Sequence, residues 1–390
     1  MRNRMFGLGE PISLGAIRRG ESPDKALKLV EALGCTAFRE WIHLTAVLEN
    51  PTTPDPRALE IFTYVLNRLQ EMDIEITGMS HSWFLAGDEI IPCNNGMYHR
   101  DLSSGSLYMQ TLRMLETSWR TMSKLFPQVS QWEVGNEWNL DMFLHPIGWH
   151  DGEPGFDPEE QMDIAVDMMY FSARGIREGN PNAKVVSFAP AIVQPHLGGH
   201  SMDYVPAHYG IAKAFSDIYS RIRSGRFWSN LTDDYFDMVA WHPYLQTHIA
   251  PRDISDQYPA TDHYLPMEGM DSHWKLMNDF IYDIMVKNGD GHKKVLLSEM
   301  GFTDWGDDAI AEKQVEMTEQ MFDLIQTMPY VQTIHYFRLY APEPKNIGPL
   351  FHVLAEIYFG LFIQQDEKLI PREKAYCLQR IYGGKGELLA

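Results

Sequence analysis

Cysteine is scarce in this chain. Its 390 residues include three cysteines, Cys35, Cys93 and Cys377, and these lie far apart in the sequence. An odd number of cysteines without a close pair indicates neither a disulfide framework nor a Cys-x-x-Cys metal motif. Free thiols are typical of a reducing compartment, so the composition predicts a cytoplasmic protein.

Long apolar runs are missing as well. Basic residues occur near the start of the chain, but Glu10 and Pro11 interrupt any apolar segment behind them, so we expect no secretory signal. No stretch approaches the roughly 20 apolar residues that cross a bilayer. The sequence therefore predicts a soluble protein that has no membrane partner.

Positive charge is in the minority. Lys and Arg number 33 against 53 Asp and Glu, which gives a formal net charge of −20. A nucleic-acid partner needs a basic face for its phosphates, and this excess of acidic residues argues against one. Nucleotide motifs are absent too, since Gly7-x-Gly9 lacks the third glycine of a dinucleotide-binding turn and no P-loop sequence occurs. We therefore expect no nucleic-acid partner.

The residues that are present predict a globular α/β protein. Hydrophobic residues make up 44% of the chain and charged residues 22%, which is typical of a folded core. Short apolar runs alternate with longer amphipathic segments, a pattern that predicts parallel strands covered by helices. Eight strands are predicted, at 5–8, 36–42, 74–79, 129–134, 183–188, 238–242, 294–298 and 331–337.

Amphipathic helices are predicted between these strands. Ser22 and Pro23 suit the N-cap and first position of a helix that ends at Gly34. Further helices are predicted at 57–72, 107–126, 158–179, 205–224, 272–287 and 309–328, with a final pair at 350–364 and 372–382.

Eight strands, each followed by a helix, predict a closed (β/α)8 barrel, the TIM-barrel fold, as a single catalytic domain over residues 1–390. The additional length falls in three strand-to-helix connections, at 141–157, 193–201 and 246–271. Connections of this kind form the active-site face of such a barrel. Their aromatic, His and Pro residues favour a shaped pocket over a flexible linker.

Two glutamates stand at the ends of predicted strands. Asn136-Glu137 follows the fourth strand, and Glu299 ends the seventh. A carboxylate at the end of a buried strand is costly unless it is used or paired. Either glutamate alone has a structural alternative, but two across one barrel mouth suit glycoside hydrolysis. There, one carboxyl group protonates the leaving oxygen and the other attacks the anomeric carbon.

On these residues the sequence resembles the retaining barrel glycoside hydrolases of clan A, in particular β-glycosidases like those of families 5 and 39. In that clan the acid/base Glu follows an Asn at the end of strand four, and the nucleophilic Glu ends strand seven. The resemblance implies that Glu137 is the general acid/base, that Glu299 is the nucleophile, and that Asn136 binds the sugar 2-hydroxyl. It implies no organic cofactor and no metal.

Two more motifs match the clan. Arg39 corresponds to a clan arginine near the end of strand two, and His242-Pro-Tyr244 corresponds to a His-x-Tyr after strand six. The resemblance implies that Tyr244 and Arg39 keep Glu299 ionised and that His242 lines the pocket. Arg and Tyr are also common rim residues, which is the structural alternative for both.

The eighth strand departs from the clan pattern. A Trp is usual near its end, but the sequence here contains none, and Tyr336 or Arg338 is predicted in that space. An arginine there would pair either with an acidic sugar or with an acidic side chain. This departure leaves the identity of the sugar open.

Aromatic residues after the strands predict surfaces on which sugar rings stack. Core packing is the alternative for each Trp, and a structural role is the alternative for the histidine. The residues predicted to bind substrate in this way are Trp41, Trp83, Trp138 and Trp305, together with His81.

The main hypothesis is a retaining β-glycosidase that acts on a carbohydrate partner, and the loop 141–157 favours exo cleavage of oligosaccharides or glycosides. An endo-acting β-glycanase is the first alternative. Fifteen histidines keep a metal-dependent sugar isomerase or hydrolase open, although His-x-His and His-Glu-x-x-His are absent. A non-catalytic sugar-binding barrel is disfavoured because both glutamates are present. The sugar, its linkage and a homo-oligomeric state are not decided by the sequence.

Overall fold

The computed structural model describes residues 5–150, 153–191, 207–244, 274–302, 308–341, 359–365 and 368–388. Within these ranges no helix is long and apolar enough to cross a membrane. Eight parallel strands form the central sheet, and we number them in chain order. They are β1 Met5–Gly9, β2 Ala37–Trp41, β3 Glu75–Met79, β4 Gln131–Glu133, β5 Lys184–Val186, β6 Val239–Trp241, β7 Val295–Met300 and β8 Val331–Phe337.

The strand order is β5-β4-β3-β2-β1-β8-β7-β6. The two outer strands of this order, β5 and β6, are joined by parallel bridges that pair Val186 with Met238 and Ala191 with His242. These bridges bring the sheet to closure, so the strands form a barrel. The structure thereby confirms the predicted (β/α)8 fold class and all eight predicted strands.

Ten α-helices lie within the described ranges. A proline at the first position and a left-handed Gly34 (φ 80°) bound the helix Pro23–Leu33, the second helix after β1, as its sequence predicts. Asp55 and Asp157 cap two others, because their side chains accept hydrogen bonds from main-chain N–H groups of the first turn. The helices are α1 Ile12–Arg19, α2 Pro23–Leu33, α3 Leu44–Val47, α4 Pro56–Glu71, α5 Leu107–Leu125, α6 Pro158–Gly179, α7 Ala207–Arg223, α8 Lys275–Lys287, α9 Asp308–Gln326 and α10 Glu373–Tyr382.

Alternate residues of the strands face opposite sides of the barrel wall. Leu297 belongs to the large apolar core, whereas its neighbour Leu296 belongs to a small separate cluster with Val186, Met238 and Ala240. Because successive strand side chains point in opposite directions, we assign the small cluster to the barrel interior. Polar side chains that contact one another lie near the carboxyl ends of the strands, among them Arg39, His242 and Glu299.

Within the described residues, short strands outside the barrel form four two-stranded sheets. The pair Gly96–Met97 and His145–Pro146 links the loop after β3 to the loop after β4. Three antiparallel hairpins complete the set: Leu48–Asn50 with Thr53–Pro54, Trp83–Leu85 with Ile91–Cys93, and Phe362–Gln365 with Lys368–Pro371.

The last hairpin corrects one prediction. A helix was expected over 350–364, but residues 362–365 form a strand, while 342–358 lie outside the described residues. Ile363 pairs with Ile370 across the hairpin, and β-branched residues favour strands. Gly360 precedes the hairpin, and a Cβ atom there would lie 2.1 Å from the main-chain nitrogen of Ala341. The close backbone approach at this position therefore leaves space for glycine only.

Candidate active site

An irregularity in β7 brings Glu299 to the mouth of the barrel. The register of β7 against β8 shifts between Leu297 and Met300. Such a shift lets neighbouring side chains face the same side of a sheet, which strict alternation forbids. Accordingly, the hydroxyl group of Ser298 and the carboxylate of Glu299 both contact residues of the site.

Glu137 follows β4 in an unusual backbone conformation. Its φ angle is 48°, in the left-handed region that residues other than glycine rarely adopt. Its main-chain N–H donates to the carbonyl oxygen of Ala189 at 2.9 Å, and its carbonyl oxygen accepts from Leu140 at 2.9 Å. These bonds hold the strained turn, a feature that is frequent at functional sites.

Arg39 is fully buried and contacts Glu299 directly. Its Nη1 atom donates to Oε1 of Glu299 at 2.5 Å, and its Nη2 atom donates to Oε1 of Glu133 at 2.6 Å. Nε donates to the second oxygen of Glu133 at 3.2 Å, and Nη2 also donates to Oδ1 of Asn136 at 3.1 Å. One guanidinium therefore fixes two carboxylates and an amide, and it supplies the positive charge that their burial requires.

His242 and Tyr244 complete the contacts between the glutamates. Nδ1 of His242 lies 2.6 Å from Oε1 of Glu137 and 3.7 Å from Oε2 of Glu299, while Nε2 lies 3.1 Å from Oγ of Ser298. The hydroxyl group of Tyr244 donates to Oε2 of Glu299 at 2.9 Å. Each oxygen of Glu299 thus accepts a hydrogen bond from a different side chain.

The pKa values of the two glutamates are shifted in opposite directions. Burial raises the pKa of Glu137, with the hydrogen bond from His242 opposing it. Burial acts on Glu299 as well, but the charges of His242 and Arg39 and the hydrogen bonds from Tyr244 and Arg39 lower its pKa overall. A pair whose pKa values are pushed apart can supply an acid and a base at one pH.

The distance between the glutamates is short. One carboxylate oxygen from each, together with a ring nitrogen of His242, lies within 4.8 Å of the others. A retaining glycosidase holds its carboxyl groups about 5–5.5 Å apart, whereas an inverting enzyme needs roughly 6.5–9.5 Å. This bound on the oxygen-to-oxygen separation fits the shorter, retaining arrangement.

The same three side chains also match the donor set of a metal ion, since His and carboxylate groups bind Zn²⁺ and other divalent cations. However, the guanidinium of Arg39 already contacts Glu299, and a cation placed there would be repelled. A second group of this kind, Asp233, Asp290 and His292, is occupied by Lys293, whose ammonium lies 2.8 Å from Asp233 and 3.5 Å from Asp290.

Aromatic side chains form one wall of the mouth. Trp41 stacks on Phe337 with ring centroids 6.4 Å apart, and Phe337 meets Tyr244 edge-on at 6.3 Å. Trp83 and Trp138 pack edge-on against each other at 6.3 Å and are each 1% exposed. The structure thus brings Trp41 to the site and buries Trp83 and Trp138 behind it. Trp305 lies outside the described residues.

Strand β8 ends in a buried ion pair. Tyr336 is fully buried, and Arg338 donates from Nη2 to Oε1 of Glu10 at 2.9 Å and from Nε to Oε2 at 3.2 Å. Glu10 also accepts hydrogen bonds from the N–H groups of Leu339 and Tyr340. The sequence left two partners open for Arg338, an acidic sugar and an acidic side chain. In the structure Arg338 is paired with the side chain of Glu10.

His81 lies at the same wall. It is partly exposed, its ring lies 4.0 Å from that of His43, and its Nδ1 atom lies 3.1 Å from Oδ1 of Asn95. Burial lowers the pKa of His81 to about 4, so the imidazole is neutral near pH 7.

Sequence reasoning missed several residues of the site. Glu133, the second carboxylate on Arg39, lies one residue before the end of predicted strand four, and alternation along that strand was a signal for it. Tyr336 and Arg338 were predicted to bind substrate, whereas Phe337 between them, whose ring stacks on Trp41, was not. The roles of Glu10 and Asn95 depend on contacts between distant loops, for which the sequence contains no signal.

Comparison with known proteins adds evidence on the fold. No family model matches the chain, and no curated protein matches it. A solved β-glycosidase, BGL167, is 13% identical with a TM-score of 0.62, and the match covers 99% of this chain and 98% of that one.

Two further solved structures match over nearly the whole chain. A β-glucosidase from Exiguobacterium marinum is 11% identical with a TM-score of 0.60, covering 98% of both chains. A family 1 β-glucosidase from Thermotoga maritima, in complex with isofagomine lactam, is 14% identical with a TM-score of 0.59, covering 99% of both. At these identities the likeness establishes a shared (β/α)8 fold, in agreement with the fold that the sequence predicts.

Proposed function

We propose that this protein is a retaining β-glycosidase in which Glu137 is the general acid/base and Glu299 the nucleophile. The observation that carries the proposal is the pairing itself: Glu299 near the end of β7 is buried, Glu137 after β4 is largely buried, and the two lie close together with oppositely shifted pKa values. The solved structures that share the fold are named as β-glycosidases and β-glucosidases, which supports the same chemistry.

In the first step, the ionised carboxylate of Glu299 attacks the anomeric carbon while the protonated carboxyl group of Glu137 donates its proton to the leaving oxygen. Glu137 then accepts a proton from water, which attacks the same carbon and releases Glu299. Two inversions at one carbon give net retention. The separation of at most 4.8 Å between one oxygen of each carboxylate supports this path, because an inverting enzyme holds its carboxyl groups roughly 6.5–9.5 Å apart.

The surrounding residues prepare the two glutamates for these roles. The hydrogen bonds from Tyr244 and Arg39 stabilise the charged form of Glu299. Since Oδ1 of Asn136 accepts from Arg39, its amide Nδ2 group is the donor that remains for the sugar 2-hydroxyl.

We further propose exo cleavage of oligosaccharides or glycosides by a cytoplasmic enzyme. The described part of the loop after β4 is tied down, since Nε2 of Gln161 donates to the carbonyl oxygen of Leu144 at 3.0 Å, so a fixed loop borders the cleft. The described cysteines are all free thiols, which suits a reducing compartment. Release of single terminal units from a long oligomer is the expected product profile, and predominant mid-chain cleavage would instead identify an endo-glycanase.

The activity is tested with a panel of aryl β-glycosides that includes uronides. We expect the wild-type protein to hydrolyse at least one of them, and Glu137→Gln and Glu299→Gln to lower kcat/KM by about a hundredfold or more. Glu60→Gln, at an exposed glutamate of α4, is the matched control and should leave the rate unchanged.

The leaving group separates the two roles. A dinitrophenyl leaving group departs without being protonated. Glu137→Gln should therefore lower the rate of the first step far less with a dinitrophenyl glycoside than with a simple phenyl glycoside. Glu299→Gln should be inactive on both, because the attacking carboxylate is gone. Equal losses in the two variants on both substrates would contradict the assigned roles.

A metal-dependent barrel enzyme is the second candidate, because Glu137, His242 and Glu299 match a metal donor set. Elemental analysis of the purified protein and assays after chelation decide between the two functions. The glycosidase proposal predicts full activity after chelation. Stoichiometric metal together with loss of activity on chelation would favour the metal enzyme.

A further inference from the structure

Glu133 is a fully buried carboxylate that the proposed mechanism does not use. It is the last residue of β4, and its side chain has no exposed surface. Its two oxygen atoms accept from Nη2 of Arg39 at 2.6 Å and from Nε at 3.2 Å, and among the described residues its carboxylate accepts hydrogen bonds from Arg39 alone. Replacing a buried ion pair by packed apolar side chains is often neutral or stabilising, so stability does not explain why a carboxylate lies here.

Two carboxylates share the single guanidinium of Arg39. Its Nη1 atom donates to Glu299 at 2.5 Å, while Nη2 and Nε donate to Glu133. All three side chains are buried, so water screens their charges only weakly. Burial acts to lower the pKa of Arg39, but the charges of Glu133 and Glu299 raise it overall. The negative charge of Glu133 therefore offsets the attraction of Arg39 for Glu299, and it also repels that carboxylate directly.

The attraction between Arg39 and Glu299 matters because the charge of Glu299 changes in both steps of the proposed reaction. In the attack, an oxygen of Glu299 bonds to the anomeric carbon as the bond to the leaving oxygen breaks, and the carboxylate becomes a neutral ester. In the release, the oxygen of water bonds to that carbon, the bond to Glu299 breaks, and the charged carboxylate returns. A positive charge that stabilises charged Glu299 therefore slows the attack and accelerates the release.

We propose that Glu133 is a positioning residue that balances these two steps: it holds Arg39 against Glu299, and its charge limits the positive charge that Glu299 experiences. This inference rests on the proposed glycosidase function. Glu133 acts through Arg39 rather than by contact with the reacting atoms. Without the charge of Glu133, Glu299 becomes a weaker nucleophile in the attack and a better leaving group in the release.

The two steps are timed separately with a 2-deoxy-2-fluoro glycoside that carries a dinitrophenyl leaving group. Because the fluorine slows both steps, mass spectrometry of the intact protein can follow the attack as gain of the sugar and the release as its loss after excess reagent is removed. In Glu133→Gln, which is isosteric and neutral, we expect the rate constant of attack to fall at least about fivefold and that of release to rise. An attack that is not slower, or a release that is not faster, would overturn the inference.

Asp167→Asn is the matched control for the loss of a buried carboxylate from an arginine. Asp167 is fully buried as well and accepts from Nε of Arg100 at 2.7 Å, away from the two glutamates. The substitution should leave both rate constants unchanged.

The charge that Glu299 experiences is also measurable without turnover. The titratable and charged groups of the described residues that face Glu299 come from β2, from the turn after β4 and from the segment after β6, and they are Arg39, Glu137, His242 and Tyr244. Of these, Arg39 is the one that Glu133 contacts. Removal of the charge of Glu133 should therefore lower the pKa of Glu299 further.

This is tested by NMR on protein labelled with ¹³C at the glutamate side-chain carboxyl, where the Glu299 signal is identified by its loss in Glu299→Gln. We expect Glu299 to titrate at lower pH in Glu133→Gln than in the wild-type protein. Glu133→Asp, which retains the charge one methylene farther back, should shift the titration in the same direction but less, and it serves alone if Glu133→Gln does not fold. A titration that stays in place or moves to higher pH, or a larger shift in Glu133→Asp than in Glu133→Gln, would overturn the inference, because shape rather than charge would then decide.

Failure of the function is distinguishable from failure of this inference. If wild-type protein hydrolyses no glycoside and gains no fluorosugar, the glycosidase proposal fails, and with it the balance between two steps. The NMR titration of the free protein would still decide whether Glu133 limits the positive charge on Glu299.

Discussion

Tyr244 and Arg39 each donate to a different oxygen of Glu299, so both stabilise its charged form. This arrangement can be removed one bond at a time. Tyr244→Phe deletes a single hydroxyl group and retains the ring that packs against Phe337. The variant thus isolates the effect of one hydrogen bond on the proposed nucleophile.

The pH dependence of kcat/KM should be bell-shaped. Activity requires ionised Glu299, so it falls as the pH drops through the lowered pKa of that group. It also requires protonated Glu137, so it falls as the pH rises through the raised pKa of the acid. Tyr244→Phe raises the pKa of Glu299 because a bond to its charged form is lost, and the acidic limb should move to higher pH.

Measurement of kcat/KM against pH for both proteins checks this. Beyond the shift, the plateau should fall roughly tenfold or more, since a hydrogen bond to a charged group contributes about 1.5–3 kcal/mol. An acidic limb that stays in place or moves to lower pH in Tyr244→Phe would contradict the account.

Short motifs at strand ends were sufficient to select residues that the structure brings together. Glu137, Glu299 and Arg39 are distant in sequence, yet Glu137 follows β4, Glu299 lies near the end of β7 and Arg39 lies in β2, two residues before its end. Parallel strands of a barrel all end at one mouth. Trp83 and Trp138 show the limit of this reasoning. A residue after a strand can turn inward under the loop, and both are buried.

At the scale of elements, the end of β4 depends on a glycine. A Cβ atom on Gly135 would lie 2.2 Å from the ring of Trp138, which is itself buried. The turn that carries Glu137 therefore packs directly on that indole. No side chain fits at position 135 without moving it.

Gly135→Ala should lower the free energy of unfolding by about 1–3 kcal/mol, because extra volume in a packed core displaces its neighbours. It should also lower kcat/KM, since the displaced turn carries Glu137. Gly105→Ala is the control, because a Cβ atom there would meet nothing within 4 Å. Urea denaturation and kinetics on both variants check this, and identical behaviour of the two would refute it.

The C-terminal hairpin shows why element type is not always readable from sequence. Residues 362–365 are Phe-Ile-Gln-Gln, a sequence that suits a helix as well as a strand, and the pairing with Lys368–Pro371 selects the strand. Periodicity over so short a run does not separate the two. The long helices, such as α6 at Pro158–Gly179, were predictable because their pattern repeats over several turns.

At the scale of the whole molecule, the two ends of the described chain are joined. The hydroxyl group of Tyr382, in α10, donates to the carbonyl oxygen of Gly7, in β1, at 3.0 Å. The ring of Tyr382 also stacks on Phe6 with centroids 5.8 Å apart. These contacts support our proposal that the chain forms one domain, because its last helix completes the packing of its first strand.

Tyr382→Phe retains the stacked ring and deletes the hydrogen bond. We expect the free energy of unfolding to fall by about 1 kcal/mol. We also expect kcat/KM to be unchanged, since the residue contacts β1 rather than the glutamates. Tyr376→Phe, at a tyrosine that is 41% exposed, is the control and should be neutral. Equal stability of Tyr382→Phe and the wild-type protein in urea denaturation would show that this contact does not stabilise the fold.

The fold itself was predictable because eight strand-helix repeats leave few other topologies, and it is shared with solved structures at 11–14% identity. The identity of the sugar was not. It depends on loops after the strands, whose mutual contacts, such as Asn95 with Met142, have no sequence signature.

The most direct test of the central claim is to trap the covalent intermediate. A 2-deoxy-2-fluoro glycoside of the accepted sugar, with a dinitrophenyl leaving group, slows both steps but leaves formation of the intermediate feasible. After reaction, peptide mapping by mass spectrometry should locate one fluorosugar on Glu299, and Glu299→Gln should remain unlabelled. Inactivation without any adduct, or an adduct on a residue other than Glu299, would contradict the proposed nucleophile.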